Sequence, residues 1–311
     1  MNLVFMGNPA FAVPALEKLA ASDYQIVAVV SNPPQKMGRG KKIRETAIAV
    51  KAKSMGLHVI QYQDLKSIHF KRELEQLNAD LFVVVAFRIL PKSLITIPKL
   101  GSINLHGSLL PAYRGAAPIQ WALINGDEEA GLSTFFIESK VDTGAVICQD
   151  RLSIRPDDNY SGLSKRMGSL GSDLLLKTIN LIENGSTSAI KQNDNEATLA
   201  PKISKDMTII DWNKPARELH NLVRGLTLTP GAATIIKGKR IKIQETRVDN
   251  DKDGSNYLPG EIIAIKKSIV TVQTGKGFLL IHRVQLEGKK TMDIGSFMNG
   301  FALNIGDRFG N

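Results

Sequence analysis

Five histidines occur in the 311-residue chain: His58, His69, His106, His220 and His282. Only His106 stands where chemistry is expected. It lies in Gly101-Ser102-Ile103-Asn104-Leu105-His106-Gly107, an apolar run closed by glycine that predicts a strand. Residues two apart on a strand share a face, so Asn104 and His106 project together, an uncharged amide beside an imidazole. In an open α/β sheet, ligands bind beyond the carboxyl ends of the strands, which is where His106 falls. The other four histidines lie on helical, turn or strand segments without a polar constellation and are read as structural or solvent-facing. Ser108 to Pro118 follows, a loop rich in glycine and proline that carries apolar residues and one arginine, Arg114, where a mere connection would be more polar. Further on, Val141-Asp142-Thr143-Gly144 forms a polar turn between apolar runs.

Several chemistries are excluded. An aspartic protease needs two carboxylates sharing a proton, and Asp-Thr-Gly occurs once. The plain reading of Asp142 is an Asx-type turn. Gly38-Arg39-Gly40-Lys41-Lys42 lacks the P-loop spacing, and no Gly-x-Gly-x-x-Gly follows the first strand, so dinucleotide binding is not expected. One cysteine, Cys148, and no His-Glu-x-x-His leave no basis for a metal site or an intrachain disulfide.

The elements that must hold these residues alternate. Strand-like runs at Asn2–Met6, Gln25–Val30, Leu57–Ile60 and Leu81–Ala86 are separated by helical stretches around 11–21, Lys51 and Lys53, and 67–78. Continuous apolar strands between helices are buried on both faces, which predicts an α/β fold with a Rossmann-like, doubly wound, mostly parallel sheet. The pattern changes near residue 185 at Asn184-Gly185-Ser186-Thr187-Ser188. A helix at Ala216–Gly225 and short β-type runs between 234 and 284 then predict a C-terminal OB-like β-barrel. The expected division is a catalytic domain over 1–205, with a linker from about 185, and a second domain over 206–311.

At 43% hydrophobic residues the chain can bury a sizeable core. Its longest strongly apolar run, Leu81–Phe87, is far short of the roughly 20 residues that span a bilayer, so no membrane association is expected. The N-terminus has no basic region ahead of its apolar start, so no signal peptide is expected and a cytoplasmic location is. The formal charge is +10. Residues 206–311 carry 16 Lys+Arg against 11 Asp+Glu, and residues 1–205 carry 24 against 19. Both parts are +5, so the tail is about twice as basic per residue, which points to a polyanion.

Together, Asn104-Leu105-His106-Gly107-Ser108-Leu109-Leu110-Pro111, Tyr113-Arg114-Gly115-Ala116-Ala117-Pro118 and Asp142-Thr143-Gly144 resemble the 10-formyltetrahydrofolate-dependent formyltransferases. The resemblance extends to Gly7-Asn8-Pro9-Ala10-Phe11 and Ile210-Asp211-Trp212, and Gly38-Arg39-Gly40-Lys41-Lys42 with the basic tail points to the branch acting on initiator methionyl-tRNA. It implies formyl transfer from 10-formyltetrahydrofolate to an α-amino group through a tetrahedral intermediate. Asn104, His106 and Asp142 are then the catalytic candidates, with Asn104 and His106 aimed at the oxyanion. Ser108, Leu109, Leu110, Pro111, Phe87, Arg88, Ile89, Leu90 and Val141 are expected beside the folate. For Leu109 and Leu110, ordinary core packing stands equally well. Arg39, Lys41 and Lys42 are expected to meet tRNA phosphates, a solvated charge run being the alternative. The cosubstrate is 10-formyltetrahydrofolate, no metal is implied, and a monomer is expected. One departure is the shorter loop Ala86-Phe87-Arg88-Ile89-Leu90-Pro91 where the family commonly has Ala-Tyr-Gly. The rival activity is formylation of a small amine such as an amino sugar nucleotide.

Overall fold

A computed structural model describes residues 1–37, 42–249 and 256–310. The chain forms two compact units: Met1–Pro118, Glu129–Ser153 and Ser164–Ala200 in one, and Ile119–Glu128, Ile154–Leu163 and Pro201–Asn311 in the other. The boundary near 205 therefore has a more involved form than a single cut. Two early segments cluster with the C-terminal residues, and Ile124 packs against their apolar core.

In the first unit, β1 (Asn2–Gly7), α1 (Val13–Ala20), β2 (Gln25–Ser31), the short hairpin β3 (Gln35–Met37) and β4 (Lys42–Arg44), α2 (Ala47–Ser54) and β5 (Val59–Gln61) come first. They are followed by α3 (Ile68–Gln76), β6 (Leu81–Val85), α4 (Lys92–Ile95) and β7 (Ser102–His106). After α5 (Pro118–Asn125) of the second unit, β8 (Glu129–Phe136) and β9 (Val146–Ser153) complete the sheet, and the 24-residue α6 (Tyr160–Glu183) runs on from it. The sheet order is β5-β2-β1-β6-β7-β8-β9. The strands from β5 to β7 are parallel, and β8 and β9 are antiparallel to their neighbours. Leu3–Met6 and Leu81–Val83 are completely buried, as continuous apolar runs require when both sheet faces are covered. One face packs Val4, Met6, Val30, Phe82 and Val84 against Phe70, Leu74 and Leu94. The β3–β4 hairpin was invisible to a periodicity reading because both strands are only three residues long, each with a single apolar residue.

The second unit contains α7 (Ala216–Gly225), β10 (Ala232–Ile236), β11 (Lys239–Asp249), β12 (Ile262–Lys266), β13 (Ile269–Gln273), β14 (Phe278–Leu286), β15 (Met292–Asp293) and α8 (Ile294–Met298). Its sheet is antiparallel, ordered β10-β11-β14-β13-β12, with β15 beside β14. Trp212 anchors the core: it stacks on Phe309 at 5.3 Å, and its indole N–H donates to Thr234 Oγ1 at 3.0 Å.

A cavity of about 1000 Å³ in this unit is lined by Arg155, Arg217, Arg224, Arg247, Arg283 and His220, with Asp157, Asp158 and Glu245 among the acids. His220 Nδ1 meets Thr246 Oγ1 at 3.0 Å. Burial first, and then Arg224 and Arg217, push the His220 imidazole down to about 4. The unfolded chain holds its proton near the ordinary value of about 6.5. Between those values the unfolded state binds a proton that the folded state refuses, so stability is lost as pH falls from about 6.5 to about 4. The loss expected from this one group is about 3 kcal/mol. Urea unfolding between pH 4 and 7 checks it: His220→Gln should flatten this part of the stability curve, and an unchanged curve would refute the assignment.

Candidate active site

The catalytic candidates gather at the end of β7. Val84 and Phe135 flank Asn104 in register, and Ser133 of β8 pairs with His106. A parallel strand on one side and an antiparallel one on the other hold the two side chains on one face. His106 is buried, edge-on to the Phe135 ring at 6.5 Å and 83°. Its Nε2 lies 2.9 Å from the Tyr113 carbonyl oxygen. A carbonyl only accepts, so that nitrogen carries hydrogen and Nδ1 is left facing Asp142 Oδ2 at 3.8 Å. A proton arriving on Nδ1 would thus meet a carboxylate. Asn104 Oδ1 is buried without a hydrogen-bond partner. A buried orphan acceptor is costly, and a bound N–H group would satisfy it.

The 108–112 loop is bolted to the sheet. Ser133 Oγ donates to the Ser108 carbonyl at 2.7 Å and accepts from Leu110 N–H at 2.9 Å. Gln149 Nε2 donates to the Leu110 carbonyl at 2.9 Å. The loop then approaches residues 198–200: Arg114 N–H donates to Thr198 O, and Ala200 N–H donates to Arg114 O. Gly115 fits only as glycine, since its φ is +129° and a Cβ there would lie 2.5 Å from the Ala200 carbonyl oxygen. Its N–H donates to Asp142 Oδ2 at 2.9 Å, so the same carboxylate oxygen that faces His106 is tied to the loop.

Asp142 is not merely a turn former. Its φ of 55° is left-handed, a conformation aspartate tolerates better than most residues. Arg114, the arginine conspicuous in an apolar loop, is buried and bonds Gln192 Oε1 through Nε and Nη2 at 3.0 and 2.8 Å, and Asp194 at 2.7 Å. The Arg114 guanidinium holds the Asp194 carboxyl below its ordinary range. Gln192 and Asp194 carried no signal in the sequence, because both sit in a polar stretch that reads as linker.

The residues expected beside the folate divide between two places. Ser108 and Leu110 are buried, Pro111 is half-buried, and Ser108 Oγ donates to the Ala112 carbonyl. Leu109 packs on Gly131 of β8, so core packing accounts for much of both leucines. At the end of β6, Phe87 joins the core, Leu90 is buried and Ile89 is 74% exposed. Arg88 lies over the Phe87 ring at 5.3 Å and donates to the carbonyls of Gln63 and Tyr62 at 2.7 and 2.5 Å. The shortened loop is thereby pinned to the segment after β5. Burial lowers the Arg88 guanidinium below its ordinary range, with Asp64 opposing the shift. Val141 is exposed beside Asp142. Among the expected tRNA contacts, Lys42 is exposed at the start of β4, while Arg39 and Lys41 lie outside the described residues.

Comparison with known proteins identifies the family. Residues 1–179 match the family model described as formyl transferase, and residues 202–302 match the formyl transferase C-terminal domain. A methionyl-tRNA formyltransferase from Agathobacter rectalis is 41% identical over 310 residues, covering 99% of both chains. One from Porphyromonas gingivalis is 42% identical over 313 residues, covering 98% of this chain and 97% of its own. Among solved structures, the N-formyltransferase from Helicobacter canadensis, in complex with folinic acid and dTDP-3-aminofucose, shares the fold. It has a TM-score of 0.67 and 22% identity, covering 90% of this chain and 97% of that one. Both halves of the sequence place the chain in the formyl transferase family, among the methionyl-tRNA formyltransferases.

Proposed function

We propose that the chain transfers the formyl group of 10-formyltetrahydrofolate to the α-amino group of initiator methionyl-tRNA, and that Asn104, His106 and Asp142 carry the reaction. Full-length relatives are named methionyl-tRNA formyltransferases, and the observation that carries the site assignment is the convergence of the orphaned Asn104 Oδ1 with the His106–Asp142 pair. The residues fit such a cosubstrate. A buried acceptor without a partner, an imidazole and a carboxylate stand together, with exposed apolar Ile89 and Val141 on the two neighbouring loops.

When bound, the folate supplies the formyl carbon and a carbonyl oxygen that gains negative charge under attack. The Asn104 amide N–H stabilises that charge, and its Oδ1 accepts an N–H of the attacking amine. His106 takes a proton at Nδ1, with Asp142 stabilising the resulting imidazolium and aiding delivery to the leaving nitrogen. Gly115 N–H keeps the carboxylate in place meanwhile. The tRNA phosphates would meet Arg39, Lys41 and Lys42, three cations within four residues of the sequence. The chain acts as a monomer in the cytoplasm, where charged tRNA is made. No helix among the described residues is long and apolar enough to cross a membrane.

The test is incubation with 10-formyltetrahydrofolate, methionyl-tRNA and a nucleotide-linked amino sugar together, followed by product analysis at several salt concentrations. Formyl-methionyl-tRNA should form, and the apparent KM for methionyl-tRNA should rise steeply between about 50 and 200 mM salt as phosphate contacts are screened. Replacing Arg39, Lys41 and Lys42 by alanine should flatten that dependence. Formyl on the sugar and not on the tRNA would overturn the reading.

A further inference from the structure

We propose that Gln192 is a positioning residue for formyl transfer: oriented by Arg114, it holds the backbone on both sides of the Asp142–Gly144 turn and thereby keeps the Asp142 carboxylate on His106. This rests on the assignment of the His106–Asp142 pair to proton transfer.

The Gln192 side chain is buried, and all of its hydrogen-bonding capacity is used in one direction. Nε2 donates to the Asp142 carbonyl at 2.9 Å and to the Gly144 carbonyl at 2.8 Å. Oε1 accepts from Arg114 Nε and Nη2. The reversed amide would set N–H groups against a guanidinium and an oxygen against two carbonyls, so Arg114 determines which way the carboxamide faces. Arg114 is itself fixed through its main chain to Thr198 and Ala200. The strap carrying Gln192 is tied at both ends, by the Val146–Ile190 bridge and the Arg114–Leu199 bridge. What it steadies is a left-handed Asp142 whose carboxylate has two things to reach, Gly115 N–H and His106 Nδ1. Gln192 makes neither contact. It controls the residue that does.

The substitution Gln192→Glu keeps the shape and adds charge attraction to Arg114, yet it sets an oxygen against both turn carbonyls. Gln192→Met removes all four bonds at similar volume. Both are expected to lower kcat about 10–100-fold, as displacement of a reacting group does, with KM for each substrate within about twofold of wild type. Arg114→Lys, which keeps the charge and loses the two-pronged contact, should lie between them and wild type, and it serves if a Gln192 variant does not fold. A double variant, Gln192→Glu with Asp142→Asn, should lose no more than Asp142→Asn alone if Gln192 acts through Asp142. Unchanged kcat in folded Gln192 and Arg114 variants overturns the proposal, as do fully multiplicative losses in the double variant. If Asp142→Asn itself leaves kcat unchanged, the proton-transfer assignment fails instead, which separates the two errors.

Discussion

His106→Ala should lower kcat for formyl transfer by about 10²–10⁴, the range typical of a positioned acid–base group. The geometry makes the loss specific to turnover. The imidazole is buried against Phe135, bonded to the Tyr113 carbonyl and open toward Asp142 at Nδ1, so its removal takes away the proposed proton acceptor and its bond to the Tyr113 carbonyl. The proposed substrate contacts fall on the loops after β6 and β7 and on residues 39–42, and the His106 side chain bonds to these only at the Tyr113 carbonyl. KM values for folate and tRNA should therefore stay within a few-fold. Steady-state kinetics on folded protein decides the matter. A variant with near-wild-type kcat would remove His106 from the reaction and leave Asn104 alone at the strand end.

Gly144→Ala should damage both folding and turnover. A Cβ at this position would lie 1.7 Å from the Phe136 carbonyl oxygen and 2.9 Å from its carbon, and both are backbone atoms that cannot rotate aside. Gly144 is buried, its carbonyl accepts from Gln192, and the next residue's carbonyl accepts from Phe136 N–H, so the turn has no free direction in which to move. Relief requires a shift of more than an ångström that carries Asp142 with it. The expected cost is about 3 kcal/mol of stability for overpacking and about 10² in kcat for misplacing the carboxylate. Urea denaturation and kinetics at a temperature where the variant remains folded measure the two separately. Wild-type values in both would mean that the turn can be displaced without consequence for the site.

These two positions were unequally legible. The importance of His106 followed from local pattern: an apolar strand ending in glycine, with Asn104 two residues earlier on the same face. The Asp142-Thr143-Gly144 turn was recognisable as a motif, but its glycine looked like ordinary turn chemistry. Only the packed chain shows that Phe136 occupies the space a side chain would need. Arg88 is a similar case. The sequence marked it as a departure from the family, and the fold turned the departure into a tie between the segments following β5 and β6. Of the two leucines left open between folate contact and core packing, Leu110 is buried and Leu109 packs on Gly131 of β8, contacts that only the fold reveals.

The sequence by itself determined the layers, the strand that brings Asn104 and His106 onto one face, the residue types at its end, and the all-β character of the tail. Each of these follows from burial and backbone torsion, which neighbouring residues specify among themselves through period and composition. It did not determine which partners the polar side chains would find. Gln192 reaches Arg114 across 78 positions and the Asp142 carbonyl across 50, through a stretch that reads as solvent-exposed linker. Hydrogen bonds between segments so far apart depend on the path of the whole chain. Tertiary structure alone decided that a buried carboxamide, turned by one guanidinium, would stand behind Asp142.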